Sequence, residues 1–224
     1  MKKIFNNLVL TIAASLAWAT AAHAQTGHGF YLKGDLGGNI TPDVSLNEFF
    51  GPVAPGSKVK LDPGLRGGVA GGYQLCDFFA AEAEVGFYGN RIDSVTDASH
   101  IHDASFANIP FLVNAKLQYP NASPLTPYIG AGLGFSESIL DVGSLTVNDV
   151  EMHGSASDTV FAWQAFAGLR YALNERMGLS LEYRYFDAQS PSWHADFTVN
   201  TASDTVSFGH VHTHSLSLAF DYRF

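Results

Sequence analysis

Cysteine is almost missing from this 224-residue chain: Cys76 stands alone, so no disulfide can form within it. Charge is scarce as well, at 15% of residues, and bases are the scarcer kind, 12 against 21 acids. The formal net charge of −9 argues against a nucleic-acid partner. No zinc ribbon, phosphate-binding loop, heptad repeat or low-complexity tract occurs. Beyond the N-terminus, no run approaches the roughly 20 apolar residues that a membrane-crossing helix needs. These absences exclude disulfide scaffolds, coiled coils and helical membrane proteins.

The chain opens MKKIFNNLVLTIAASLAWATAAHAQ. Lys2 and Lys3 form a short basic start, an apolar stretch follows, and Ala22-His23-Ala24 supplies an A-x-A cleavage site. Asn6, Asn7 and Thr11 interrupt the apolar stretch, which favours a secretory signal over a membrane anchor. Cleavage is expected between Ala24 and Gln25, leaving residues 25–224 as one domain. Loss of the two lysines takes the formal charge to −11.

What the mature chain has in quantity is glycine (22 residues), aromatics (13%) and alternation. The last nine residues, LSLAFDYRF, place Leu216, Leu218, Phe220, Tyr222 and Phe224 on one face of a strand and Ser217, Ala219, Asp221 and Arg223 on the other. Similar segments are expected at 30–39, 64–75, 78–90, 105–119, 127–138, 159–172 and 177–187, giving eight strands with the terminal one. The connections between them alternate long and short. Segments near SLTVNDVEMH and DFTVN/DTVSF leave open a fifth hairpin or hairpins that rise above a membrane.

Sorting each strand by parity puts Lys33, Arg66, Lys116, Arg170, Arg184 and Arg223 on the polar faces with Asp35, Glu82, Glu84, Glu182 and Asp221. A soluble sandwich would turn those charges to water. A membrane barrel turns the apolar faces to lipid and pairs the charges inside a closed tube. Export, aromatics near strand ends (Tyr73, Tyr119, Tyr171, Tyr183, Tyr185) and the apolar-face terminal Phe224 favour the barrel. The fold expected is an all-β, eight-stranded, antiparallel up-and-down transmembrane barrel. Its interior is just wide enough for side chains to fill, so a plugged cylinder is expected rather than a pore.

The long connections carry fourteen acids against Lys58, Lys60 and Arg91, so the excess charge is expected to face outward. His210-x-His212-x-His214 sets three imidazoles on one strand face, above lipid-facing positions, and His100-x-His102 repeats the spacing. These five are candidate ligands for a transition metal or haem, or candidate pH-sensitive groups, but no cysteine or carboxylate spacing completes a metal site. No cofactor is therefore assigned. Hydrolysis would need Ser, His and an acid together; Ser215 and Ser217 lie opposite the histidines, and Asp187 and Asp196 near His194 are ordinary loop neighbours, so no catalytic residue is assigned. Gly130-Ala131-Gly132-Leu133-Gly134 is read as space for large interior side chains, because a strand and not a helix follows it.

GFYLKGDLGG, GLRGGVAGGYQL with AAEAEVGFYG, TPYIGAGLGF, AWQAFAGLRYALNERMGLSLEYRYFD and the terminal DYRF resemble the small outer-membrane β-barrel proteins of Gram-negative bacteria, the OmpA-like and opacity-type surface antigens. The resemblance covers the mature chain. It implies an integral outer-membrane location, contact with outer-membrane lipid, recognition of Phe224 by the barrel-assembly machinery, and loops that meet host, matrix or phage. A peptidoglycan-binding domain after the barrel is not expected. A structural or surface-exposed role is expected first; a narrow channel or metal- or haem-uptake protein is the alternative, and a barrel enzyme acting on lipid A or peptides comes third.

Overall fold

A computed structural model describes residues 28–147, 150–194 and 205–224. The N-terminal segment expected to be a signal, with Ala24 and Gln25, and the stretch DFTVN lie outside them. Eight long strands run β1 (Gly29–Ile40), β4 (Gly64–Cys76), β5 (Phe79–Val95), β6 (Ala98–Gln118), β7 (Leu125–Val147), β8 (Val150–Ala172), β9 (Met177–Ala188) and β12 (Val211–Arg223). Each pairs antiparallel with the next, and β12 returns to β1 through Leu32↔Tyr222 and Leu36↔Leu218. The ring is closed, so no strand edge within it faces lipid, as a membrane requires. This agrees with the expected eight-stranded barrel.

The faces divide as lipid demands. Leu218 is 67% exposed and Leu133 62%, whereas Arg184 and Glu182 are wholly buried. Outward leucine, valine and phenylalanine on a protein in water would be costly at roughly 25 cal/mol per Å²; in hydrocarbon they are solvated. Gly72 and Gly168 on the inner face make room for Tyr31 and Tyr128, whose rings a Cβ at either glycine would strike.

The strands run longer than the alternation in the membrane segments suggests. β7 and β8 continue past the lipid-facing belt as one hairpin, Leu140↔Ala156 and Val147↔Val150, so the SLTV and EMH segments extend a hairpin rather than adding a ninth and tenth barrel strand. β5 and β6 likewise rise to a two-residue turn at Thr96-Asp97, where Asp97 takes the left-handed conformation (φ 62°) that aspartate tolerates. The other two upper connections fold into short strands. β2 (Val44–Phe49) and β3 (Lys58–Leu61) come from the first, and β10 (Ser192–His194) and β11 (Thr205–Phe208) from the last. They pair in the order β10-β11-β2-β3-β5.

Together these elements close the upper end with a second core. Phe106, Leu140, Met152, Trp193, Val206 and Phe208 pack there at 3% exposure or less. The inward face of β7 shows how the change is written: Gly130, Gly132, Gly134, Ser136 and Ser138 give way to Leu140 and Val142 at the same parity. The outward face reverses too, from Leu133 and Phe135 to Glu137 and Asp141. Below this level the molecule is apolar outside and charged inside; above it, the arrangement is that of a soluble β protein.

Candidate functional site: a filled interior beneath an extracellular cap

The inner face brings ten of the eleven interior charges into ion pairs. Eight form one alternating chain. Lys116 Nζ lies 2.7 Å from Glu82, Glu82 lies 3.7 Å from Lys33, and Lys33 lies 3.0 Å from Glu182. Glu182 then pairs with Arg184, Arg184 with Glu84 at 2.9 Å, Glu84 with Arg66 at 2.7 Å, and Arg66 with Asp35. Alternation keeps each carboxylate between two cations except at the Asp35 end. In a medium that excludes water, that order offsets the desolvation of each ion.

Neutral donors complete the chain. Glu84 also accepts from Asn114 Nδ2 (2.7 Å) and Gln164 Nε2 (3.1 Å), Glu82 from the Tyr31 hydroxyl (2.6 Å), and Glu182 from the Tyr128 hydroxyl (2.9 Å). Lys116 lies 4.4 Å from the centre of the Tyr31 ring, and Arg184 4.9 Å from that of Phe166, so aromatic faces cover cationic flanks. A ninth and tenth charge, Arg170 and Asp221, pair separately at 2.7 Å near the short-turn end. Arg223, the eleventh, has no ion pair among the described residues; it sits half-buried at that mouth, where water reaches it.

Above the chain a ring of amides and hydroxyls hands over to the cap. Asn90 donates to Asn39 at 2.7 Å, the Thr41 and Thr213 hydroxyls are 2.9 Å apart, and Ser138 donates to Asn108 at 2.7 Å. Trp193 Nε1 reaches the Ser138 carbonyl at 3.0 Å, which satisfies the one polar atom of a fully buried ring. The void left among Leu46, Phe49, Val59, Leu140 and Met152 is about 10 Å³, no more than one water occupies. Ions, amides and an apolar plug thus stack along the axis.

The candidate histidines lie outside this interior. His212 and His214 point outward from β12 and His210 from the residue just before it, and His100 and His102 stand on the exposed upper part of β6. Among the described residues, no group of three histidine, cysteine or acidic side chains converges to hold a metal ion. Alternation did not reveal the partner of the β12 histidines. Asp187 stands opposite His212 in the β9–β12 register and lies 2.5 Å from its Nδ1. Asp187 is also a correction: counted with the outward-facing acids, it is 4% exposed, covered by those imidazoles. No contact joins it to His194, and Asp196 lies outside the described residues.

Residues 9–224 match the family described as outer membrane protein beta-barrel domain. The chain is 28% identical over 206 residues to the outer membrane protein PagN of Salmonella typhimurium, covering 84% of each. Among solved structures, Neisserial surface protein A superposes with a TM-score of 0.58 at 19% identity, covering 88% of this chain and 99% of that one. The outer membrane protein OprG from Pseudomonas aeruginosa gives 0.55 at 14% identity, covering 88% and 97%. At these identities the two structures speak for the fold alone.

Proposed function

Because the chain belongs to the outer membrane beta-barrel domain family and is an integral outer-membrane barrel of Gram-negative type, we propose that it is a non-conducting, non-catalytic surface protein whose cap meets partners outside the cell. One observation carries this reading: the barrel is filled by paired ions and covered by an apolar core, while acids such as Asp93, Asp103, Glu137 and Asp141 face outward on the upper strands. A transport path would need space that these side chains occupy. An outward acidic surface on a rigid apolar core is suited to a basic partner surface, such as a host or matrix protein. The signal segment ending at Ala24 and the terminal Phe224 serve export and delivery to the barrel-assembly machinery in the same reading.

The test uses the full chain displayed on cells and, separately, reconstituted in planar bilayers. Shortening the β7–β8 hairpin to a tight turn at Glu137 and Thr159 should abolish adhesion to epithelial monolayers and immobilised matrix proteins while the heat-dependent gel shift of a closed barrel persists. Adhesion unchanged by that deletion overturns the surface role, and stable high-conductance steps from the intact protein would establish the channel alternative.

A further inference from the structure

The seam between β9 and β12 carries a cluster that neither the barrel interior nor the cap uses. On the outward face, Leu216, His214 and His212 follow one another up β12, opposite Tyr183, Tyr185 and Asp187 on β9, and His210 continues the line just before the strand. Leu216 is 55% exposed and belongs to the lipid-facing belt. Each two-residue step along a strand climbs about 7 Å, or about 5 Å in depth once the strand tilt is allowed for. His214 and His212 therefore stand roughly 5 and 10 Å above the hydrocarbon edge. The headgroup layer, roughly 5–8 Å per leaflet, takes in His214 and ends just below His212, with His210 one step higher.

The geometry aims these imidazoles outward. A carboxylate only accepts hydrogen bonds, so His212 Nδ1–H donates to Asp187 Oδ2 at 2.5 Å. His210 Nδ1 lies 3.4 Å from the other oxygen of the same carboxylate, and the two rings stack 6.1 Å apart, 22° from parallel. His214 Nδ1 is held by the Tyr183 hydroxyl at 2.7 Å. With every Nδ1 directed at β9, the Nε2 atoms are left for an external ligand. The side chains of His210 and His212 are 54% and 47% exposed, whereas that of Asp187 is 6% exposed beneath them. Near-parallel rings at this spacing suit hydrogen bonds of about 2.8 Å converging from two sides onto a tetrahedral oxyanion better than bonds of about 2.1 Å to one metal ion.

We propose that His210, His212 and His214, oriented by Asp187 and Tyr183, form an outward-facing binding site for a phosphate monoester at the outer edge of the outer-leaflet headgroup layer. With its Nδ1–H given to Asp187, His212 donates from Nε2 to an anion only when the ring carries a second proton, so binding strengthens toward acid pH. Among the described residues, the ionisable groups facing the cluster are those named on β9 and beside or on β12, including the Tyr185 hydroxyl 3.1 Å from His212 Nδ1. From β8 the register brings Trp163 and Ala165, and from β1 Ile40, none of them ionisable.

Calorimetry on the full chain in an uncharged detergent tests this, titrating dihexanoyl phosphatidic acid, dihexanoyl phosphatidylcholine and inorganic phosphate at pH 5.5 and 8.0. Saturable binding of phosphatidic acid at pH 5.5, at least tenfold weaker at pH 8.0 and at least tenfold tighter than phosphatidylcholine, is expected. Competition by inorganic phosphate assigns the site to the free anion as well; failure to compete assigns it to phosphate carried on a lipid. The paired change His210→Gln and His212→Gln should lower affinity at least tenfold with the gel shift of the folded barrel retained, and His100→Gln with His102→Gln should leave it unchanged. Binding by the wild-type chain that is equal at both pH values, or equal for the two lipids, overturns the proposal. So does binding that survives loss of His210 and His212.

Discussion

Glu84 is where the interior should be most sensitive to a single atom. Its carboxylate accepts from Arg184 Nη1 at 2.9 Å to each oxygen, from Arg66 Nη2 at 2.7 Å, and from the Asn114 and Gln164 amides. Glu84→Gln keeps the shape but turns one acceptor into a donor facing donors, and leaves two buried guanidinium groups sharing fewer carboxylates. Removing one partner from a buried pair costs about 3–5 kcal/mol, a large part of the roughly 5–15 kcal/mol that holds a domain folded. Glu137→Gln, on the outward face where the strand leaves the belt, should cost within about 0.5 kcal/mol. With a urea dependence near 2 kcal/mol per molar, the Glu84 variant should unfold about 2 M earlier. Urea titration in lipid vesicles, followed by tryptophan fluorescence and by the gel shift, reads this. Adding Arg184→Gln should recover part of the loss, because the removals share one network. A shift under about 0.5 M for Glu84→Gln would refute the claim that the pairs are dry and mutually dependent.

Three further outcomes follow from the same geometry. Arg170→Gln should cost less than half as much as Glu84→Gln by the same titration, because Asp221 lies near the mouth within electrostatic reach of Arg223. Trp193→Ala removes ring contacts with Phe106 and Phe208 and the bond to Ser138; it should cost about 3–5 kcal/mol within the cap, seen as faster proteolysis above the membrane with the barrel gel shift intact. Gly130→Val should abolish refolding, since its Cβ would strike the Phe166 ring and lie 2.8 Å from the Ala115 carbonyl, whereas Gly38→Val, whose nearest neighbour would be 3.8 Å away, should refold with the wild-type yield.

Much of the barrel could be read from parity because lipid and a filled interior impose opposite demands on alternate residues. Leu179 and Arg184 fall on the sides their sequence positions indicate, and the closing pair of β1 with β12 follows from the alternation at both termini. The cap was harder to see. Leu140, Val142 and Met152 keep the same parity as the interior glycines, serines and charges, but their apolar character, set beside Glu137 and Asp141, reads as loss of strand rather than as exchange of faces. Only knowledge of where the membrane ends separates those readings, and no local pattern supplies it. Short strands such as β3 and β11 depend on distant partners, Val59 on Val95 and Val206 on Phe49, which no window of neighbouring residues contains. Asp187 was missed for the same reason: its tie to His212 is a matter of register between two strands.

The exchange of faces itself can be measured directly with nitroxide labels, placed one at a time in a Cys76→Ser background reconstituted in vesicles. The structure predicts that a label at Leu218 relaxes with oxygen but not with a water-soluble nickel complex, that one at Asp141 responds to the nickel complex, and that labels at Ser217 and Leu140 are shielded from both. A label at Ser217 that meets the aqueous reagent while one at Leu218 is shielded from oxygen would contradict the account.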